Sequence, residues 1–319
     1  TLTVISEGTF YNCYQLQNIE ILESIKEIGD YAFYNCKSSS VKTIIVHENV
    51  TSIGERAFQG CASLAAVQIP NKVTTLNNYC FSGNTALVNV DLGSGVQTIG
   101  QYCFDGCGIP SLSIPANVTQ IGNYAFDNCT KLADVIIADR TTDLTLGSNG
   151  SSPLFSSCPL DSVYIGGNIS YNTSSSYGYS PFYRNTSLRA VVITDKEEEI
   201  SDNEFYGCTN LKNVTIGGDV KKIGNWAFSG CSNLDYFSFG KSVESIGEEA
   251  FSGCSALTSV VIPDSVIVIG NYAFSWCEGL TSIKFEGTTA QWNSISKGKE
   301  WNAYSGNCIV YCIDGTVTK

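Results

Sequence analysis

Leu257-Thr-Ser-Val-Val-Ile-Pro-Asp-Ser-Val-Ile-Val-Ile-Gly-Asn-Tyr-Ala-Phe-Ser-Trp-Cys277 decides the fold. Its first part, Leu-x-x-Val-x-Ile, alternates apolar and other residues with the period of two expected of a strand. Pro263 ends that strand and turns the chain. A second short extended piece, Val266 to Ile269, leads into Gly-x-x-Ala-Phe, a compact turn predicted to be a single 3₁₀ or α turn. The same phrase recurs as Ile53-Gly-Glu-Arg-Ala-Phe58-Gln-Gly-Cys61, as Ile121-Gly-Asn-Tyr-Ala-Phe126-Asp-Asn-Cys129 and as Ile246-Gly-Glu-Glu-Ala-Phe251-Ser-Gly-Cys254.

The phenylalanine of the phrase stands at positions 10, 33, 58, 81, 104, 126, 155, 182, 205, 228, 251 and 274, so most neighbours are 22 to 25 residues apart. A period in the twenties marks a solenoid, whose units bury their apolar faces only against one another. Stacked units place each residue over its counterpart at the ~4.8 Å spacing of a parallel ladder. The columns of Phe58, Phe126, Phe228, Phe251 and Phe274 and of Cys61, Cys129, Cys231, Cys254 and Cys277 are thereby predicted to fill the interior. Residues between the strand Val and Ile point outward, among them Ile45, Gln68, Asp91, Tyr164, Val192 and Val261. That column carries no single charge type, and it suits either a protein-contact face or an undistinguished sheet surface.

The unit Leu-x-x-Val-x-Ile-Pro-x-x-Val-x-x-Ile-Gly-x-x-Ala-Phe-x-Gly-Cys resembles the treponemal or BspA-like class of leucine-rich repeat. The resemblance covers about residues 3–285. The tail, with Phe285-Glu-Gly-Thr-Thr-Ala-Gln-Trp292, Trp301 and Val310-Tyr-Cys-Ile-Asp-Gly315, is similar to the closing segment of many such proteins of Gram-positive gut bacteria. The expected architecture is an α/β repeat: a right-handed leucine-rich-repeat solenoid with a parallel sheet on one face and short strands or helical turns on the other. It would run over residues 1–285 in about twelve units, irregular over 139–187, with 286–319 as a C-terminal cap. The resemblance also implies a secreted or cell-surface, non-catalytic protein, some members of the family being adhesins.

Composition agrees with an extended scaffold. Charged residues are 15% and hydrophobic ones 43% of 319 residues, and the net charge is −12. Nucleic acid would need a basic stripe, which is absent. No apolar run reaches the roughly 18–20 residues that span a bilayer. The chain starts at Thr1 and contains no methionine, which reads as a mature or trimmed chain, with a removed secretory signal as the expected missing piece.

Fourteen cysteines suggest disulfides or metal. Register offers a plainer account, because ten of them lie three residues after a column Phe, as buried thiols packed like small hydrophobes. Cys80 and Cys103, in the Ala position of adjacent repeats, are the pair best placed to oxidise, and they too are expected to be buried and reduced. Thiols spaced one per repeat form a row and not the tetrahedron a metal requires, so neither a metal nor another cofactor is expected. His47 is the only histidine and falls at a rim, and the pairs in Glu197-Glu198-Glu199 and Glu248-Glu249 read as solvated turn edges. Catalysis is therefore not expected.

The break between Phe126 and Phe205 is where binding would concentrate, since insertions in a repeat become loops. Tyr164, Tyr171, Tyr177, Tyr179 and Tyr183, interspersed with Ser, Gly and Asn, form the candidate contact patch for an extracellular protein or glycan. The competing reading folds these rings back over a decayed repeat. A structural spacer whose partners are further copies of itself is the alternative function.

Overall fold

The computed structural model describes residues 2–17, 19–38, 40–147, 153–171 and 180–318. The chain forms two compact units, residues 1–135 with 144–159 and residues 136–143 with 160–319.

In the first unit the strands Thr43–Ile45, Ala66–Gln68 and Asn89–Asp91 pair in parallel, Ile44 opposite Val67 and Val67 opposite Val90. A second parallel ladder joins Val4–Ile5, Glu27–Ile28, Ser52–Ile53, Thr75–Leu76, Thr98–Ile99, Gln120–Ile121 and Leu144–Leu146. In the second unit the main ladder runs through Ser162–Ile165, Ala190–Ile193, Asn213–Ile216, Tyr236–Ser238, Ser259–Ile262 and Ser282–Phe285. Its companion ladder joins Glu199–Ile200, Lys222–Ile223, Ser245–Ile246, Val268–Ile269 and Ser296–Lys297. Register follows the repeat, so that Val191 lies opposite Val214 and Val214 opposite Phe237.

The Gly-x-x-Ala-Phe segments, expected as a helical turn, are turns of another kind. Their N–H groups alternate between two uses. Gln59 donates back to Arg56 within its own turn (3.1 Å), whereas Phe58 donates to Cys80 and Arg56 to Asn78 of the next repeat. A helix would spend every N–H within the segment, and here half of them stitch the units together. The geometry requires positive φ at the residue two before the Phe, and Tyr79, Tyr102, Tyr124, Trp226 and Tyr272 all adopt φ of 54–58°. This conformation costs a non-glycine residue about 1–2 kcal/mol; the bond across repeats offsets it. The residue two after the Phe is also left-handed and is glycine at Gly230 and Gly253, both at φ +76°. Among the described residues the one α-helix is Thr289–Ser294 in the tail.

The Phe column is the spine of each unit. Rings from Phe58 to Phe126 stack at 5.5–5.7 Å, and those from Phe182 to Phe274 at 5.0–5.5 Å. Beside them the cysteines do more than fill space. Cys61 Sγ donates to the Phe33 carbonyl at 3.2 Å, Cys231 to Phe205 at 3.3 Å and Cys277 to Phe251 at 3.1 Å. The same bond recurs at Cys129 and Cys254. Each thiol thus adds a second donor to a buried carbonyl that already accepts a backbone N–H of its own repeat, as Phe33 does from Cys36 and Phe228 from Cys231, and ties that repeat to the next. Asn84, standing in the cysteine column, makes that bond to Phe58 with its amide at 3.1 Å. All fourteen cysteines are thiols, none joined in a disulfide. Burial pushes the Cys129, Cys208 and Cys277 thiols up to about 12, which keeps them protonated and unreactive.

The tail continues the second unit. Trp292, on the short helix, is buried and packs edge-on against Phe285 and Trp301, and Trp301 meets Phe274 edge-on. Thr288 and Gln291 close a capping box at the helix start. Ile309–Cys312 then adds to Ser282–Phe285 in parallel, and Gly315–Thr318 folds back on it antiparallel.

Candidate functional site

The strand alternation turns one residue of each main-ladder strand outward. In the first unit these are Ile45, Gln68, Asp91 and Ser113, all exposed, with Ile45 at 70% of its full accessibility. They line an open concavity of about 520 Å³ with Val88 and Ser111. A second cavity of about 630 Å³ shares Ile45, Gln68 and Asp91 and extends over the C-terminal ends of the strands. It is lined by His47, Pro70, Asn71, Ser94 and Asn117. The turns here are preordered: Asp91 accepts from the Gly93 N–H, Asn71 from the Ser94 N–H and His47 Nδ1 from the Asn49 N–H. Exposed Ile45 and Val88 are therefore set among amides, a carboxylate and an imidazole. Such a surface can bind through contact and hydrogen bonds.

In the second unit the outward column holds Tyr164, Val192, Thr215, Ser238, Val261 and Lys284, with Val192 and Val261 exposed. Tyr164 Oη donates to Asp139 Oδ1 at 2.9 Å, and this bond to the carboxylate raises its phenol.

The five tyrosines expected to form a patch have different settings. Tyr164 stands on the sheet face. Tyr183 lies at the turn column, stacked on Tyr206 at 5.1 Å with the Arg184 guanidinium 5.3 Å from its ring centroid. Tyr171, at the end of the strand Ile169–Tyr171, turns its hydroxyl into the interior, where burial raises its phenol well above the usual range and the Glu204 charge adds to the shift. Tyr177 and Tyr179 lie outside the described residues.

Near Tyr171 the structure corrects one expectation. Glu197, read as part of a solvated edge, is 3% exposed, whereas Glu198 and Glu199 are exposed. Counting back one repeat from Val220 and Ala227 puts Glu197 in the valine column and Glu204 in the alanine column, so both face the core. Burial, aided by the Glu204 charge, pushes the Glu197 carboxyl up to about 9. Burial pushes Glu204 up to about 8, opposed by the Ser201 N–H, which donates to its Oε2 at 2.8 Å. The signal was present in the sequence, since acidic residues break two otherwise apolar columns within one repeat.

With this geometry in view, the comparisons with known proteins are direct. The BspA type leucine rich repeat region matches over residues 3–133, 51–181 and 175–296, in six copies. The chain belongs to the BspA-type leucine-rich-repeat family. A leucine-rich repeat protein from Bacteroides ovatus has a similar structure, with 24% identity over 93% of this chain and 87% of that one and a TM-score of 0.50. A leucine rich cell surface protein of Faecalibacterium prausnitzii is 27% identical over 92% of this chain and 86% of its own, with a TM-score of 0.40. The pneumococcal vaccine antigen PcpA is 16% identical over 98% of this chain and 81% of its own, at 0.36. None of the three is named as an enzyme. No curated protein matches the chain. Among the described residues no helix is long and apolar enough to cross a membrane.

Proposed function

We propose that this chain is an extracellular or cell-surface binding protein that recognises a protein or glycan without catalysing a reaction, most simply in adhesion. The observation that carries the reading is the outward column of the first unit, where exposed Ile45 stands in register with Gln68 and Asp91 over two linked concavities. An exposed apolar residue rimmed by polar groups is the usual make-up of a contact site. The family membership supports the location, and the tail's buried tryptophans support a capping role for residues 286–319.

The test is binding of the purified chain to arrayed glycans and extracellular-matrix proteins, beside the folded variant Ile45→Lys/Gln68→Lys and the variant Tyr164→Ser/Tyr183→Ser. A hit abolished by the first variant supports the groove; one abolished only by the second moves recognition to the tyrosines. Turnover of any arrayed substrate would refute the non-catalytic reading.

The spacer reading is favoured by a different observation. An apolar cavity of about 420 Å³ lies at the first repeats, lined by Leu2, Val4, Ile5, Phe10, Leu22 and Phe33 among others. Sedimentation of the chain at rising concentration separates the two, since a spacer of this kind self-associates and a dedicated binder remains monomeric.

A further inference from the structure

A second surface of the first unit is not used by that reading. The left-handed turn position carries Tyr31, Arg56, Tyr79, Tyr102 and Tyr124 in successive repeats. The Tyr79 and Tyr102 rings stack at 4.8 Å and 10°, and Tyr102 and Tyr124 repeat that geometry. The Arg56 guanidinium continues the stack, 4.0 Å from the Tyr79 centroid and 5.8 Å from that of Tyr31. Because the rings lie face to face, their edges and not their faces border the column. All five side chains are half-buried.

Beside this border stand Asp105 and Asp127, whose charges reach the Tyr102 phenol and, together with partial desolvation and the neighbouring phenols, raise it. Ser82 and Asn128 donate to Asp105, and Ser157 and Asn128 donate to Asp127, so the two carboxylates are held in place by neutral groups. Among the described residues neither carboxylate has a lysine or arginine within ion-pair distance. Elsewhere in the chain acidic groups do find such partners, as Glu198 does with Lys221. The strip is thus a rank of phenols beside two carboxylates that have no ion-pair partner among the described residues, on a chain of net charge −12.

We propose that the strip formed by Tyr79, Tyr102, Tyr124, Asp105 and Asp127 docks an arginine-bearing segment of a partner protein. Arg56 is the internal precedent, showing that a guanidinium fits against this column at rung spacing. A planar guanidinium offers paired N–H groups to a carboxylate and lays its apolar stem along ring edges, which an ammonium does less well. Carboxylates already oriented by neutral donors lose little freedom when the cation arrives. The occupant is cationic because the strip supplies oxygens and negative charge in excess; a neutral glycan would leave that charge unanswered.

The experiment measures binding of a fluorescent octa-arginine peptide, with octa-lysine and a neutral Gly-Ser peptide as comparators, at low and moderate salt. The variant Asp105→Asn/Asp127→Asn removes two charges, keeps one carbonyl acceptor at each site for the Asn128 amide and turns an amide N–H toward the Ser82 and Ser157 hydroxyls, which can accept it. The control Glu278→Gln/Glu286→Gln removes the same charge from exposed positions far along the sequence. The expected result is preferential binding of octa-arginine, weakened about tenfold or more by the aspartate pair and little changed by the control pair. Tyr102→Leu, checked for unchanged thermal unfolding, is expected to narrow the preference for arginine over lysine. Equal weakening by both charge-removing pairs would show only nonspecific attraction and overturn the proposal. So would failure of the unaltered chain to bind at low salt, or retention of binding after both aspartates are changed. Because none of these residues lines the sheet-face groove, loss of peptide binding with array hits intact separates this inference from the preceding one.

Discussion

Two stretches of the second unit show what regular stacking requires and what it tolerates. From Phe205 to Cys277 two interior columns each repeat one residue type: Val220, Val243 and Val266 are buried, as are Ala227, Ala250 and Ala273. One repeat earlier the same two columns hold Glu197 and Glu204, equally buried, with Tyr171 close by. In the regular stretch these two columns stay apolar, so burial is gained without any polar group to satisfy. In the irregular stretch three ionisable groups share an interior and two carboxyls keep their protons well above the ordinary range. The fold survives because neighbouring repeats hold the backbone in register, so local chemistry can depart from the pattern over one unit. Irregularity in a solenoid therefore identifies where stability has been given up.

The comparison can be broken most severely at its regular end. Phe251 is sandwiched between Phe228 and Phe274 and meets Phe237 edge-on. Phe251→Ala is expected to cost about 3–5 kcal/mol in urea unfolding. A loss below about 1 kcal/mol would mean that the column is not the spine of the unit.

The irregular end is expected to respond in the opposite direction. Replacing both acids by the residues of their columns, Glu197→Val/Glu204→Ala, should stabilise the chain by on the order of 1–3 kcal/mol at pH 8. The pH dependence follows from the proton balance. In the folded chain the carboxyls release their protons only at about 9 and about 8, whereas the ordinary value is 4.5. Between those limits the unfolded state binds fewer protons, so stability is greatest at acidic pH, falls as pH rises and levels off above about 9. Urea midpoints at pH 5, 7 and 9 should decline in that order for the natural chain and flatten in the double variant. Parallel profiles for the two proteins would remove the buried pair as the cause.

The smallest expected effect concerns the column that donates to these carbonyls. Cys254→Ala and Asn84→Ala each remove a side-chain donor from the carbonyl of a preceding Phe, and each should cost about 0.5–1.5 kcal/mol. Similar losses at the two sites would show that the hydrogen bond matters more than the sulfur. A loss confined to Cys254 would instead assign the column to packing.

Much of this was legible in the chain. The alternation in Leu-x-x-Val-x-Ile and the recurring Ala-Phe-x-Gly-Cys are local signals, and a repeating unit converts them into long-range pairing because each residue's neighbour is its own counterpart. The parallel ladders, the Phe spine and the apolar setting of the cysteines follow from that. The turn was harder to read. Gly-x-x-Ala-Phe has the composition of a helical turn, and only the presence of an adjacent repeat, accepting alternate N–H groups, converts it into a left-handed, cross-bonded segment. The candidate site was legible only in part. Tyr164 was correctly placed outward, but Tyr171 and Tyr183 could not be told apart, since periodicity fails within an insertion and nothing local states which way a ring will turn.

By itself the sequence determined what repeats: the period, the strand faces and the apolar columns, because in a solenoid those quantities are set by each unit and its copy. Tertiary structure alone decided where counterparts differ. It joined Arg56 to the tyrosine stack and, among the described residues, left Asp105 and Asp127 with no lysine or arginine within ion-pair distance. Those outcomes depend on the distance between particular side chains in adjacent units, which spacing along the chain does not encode.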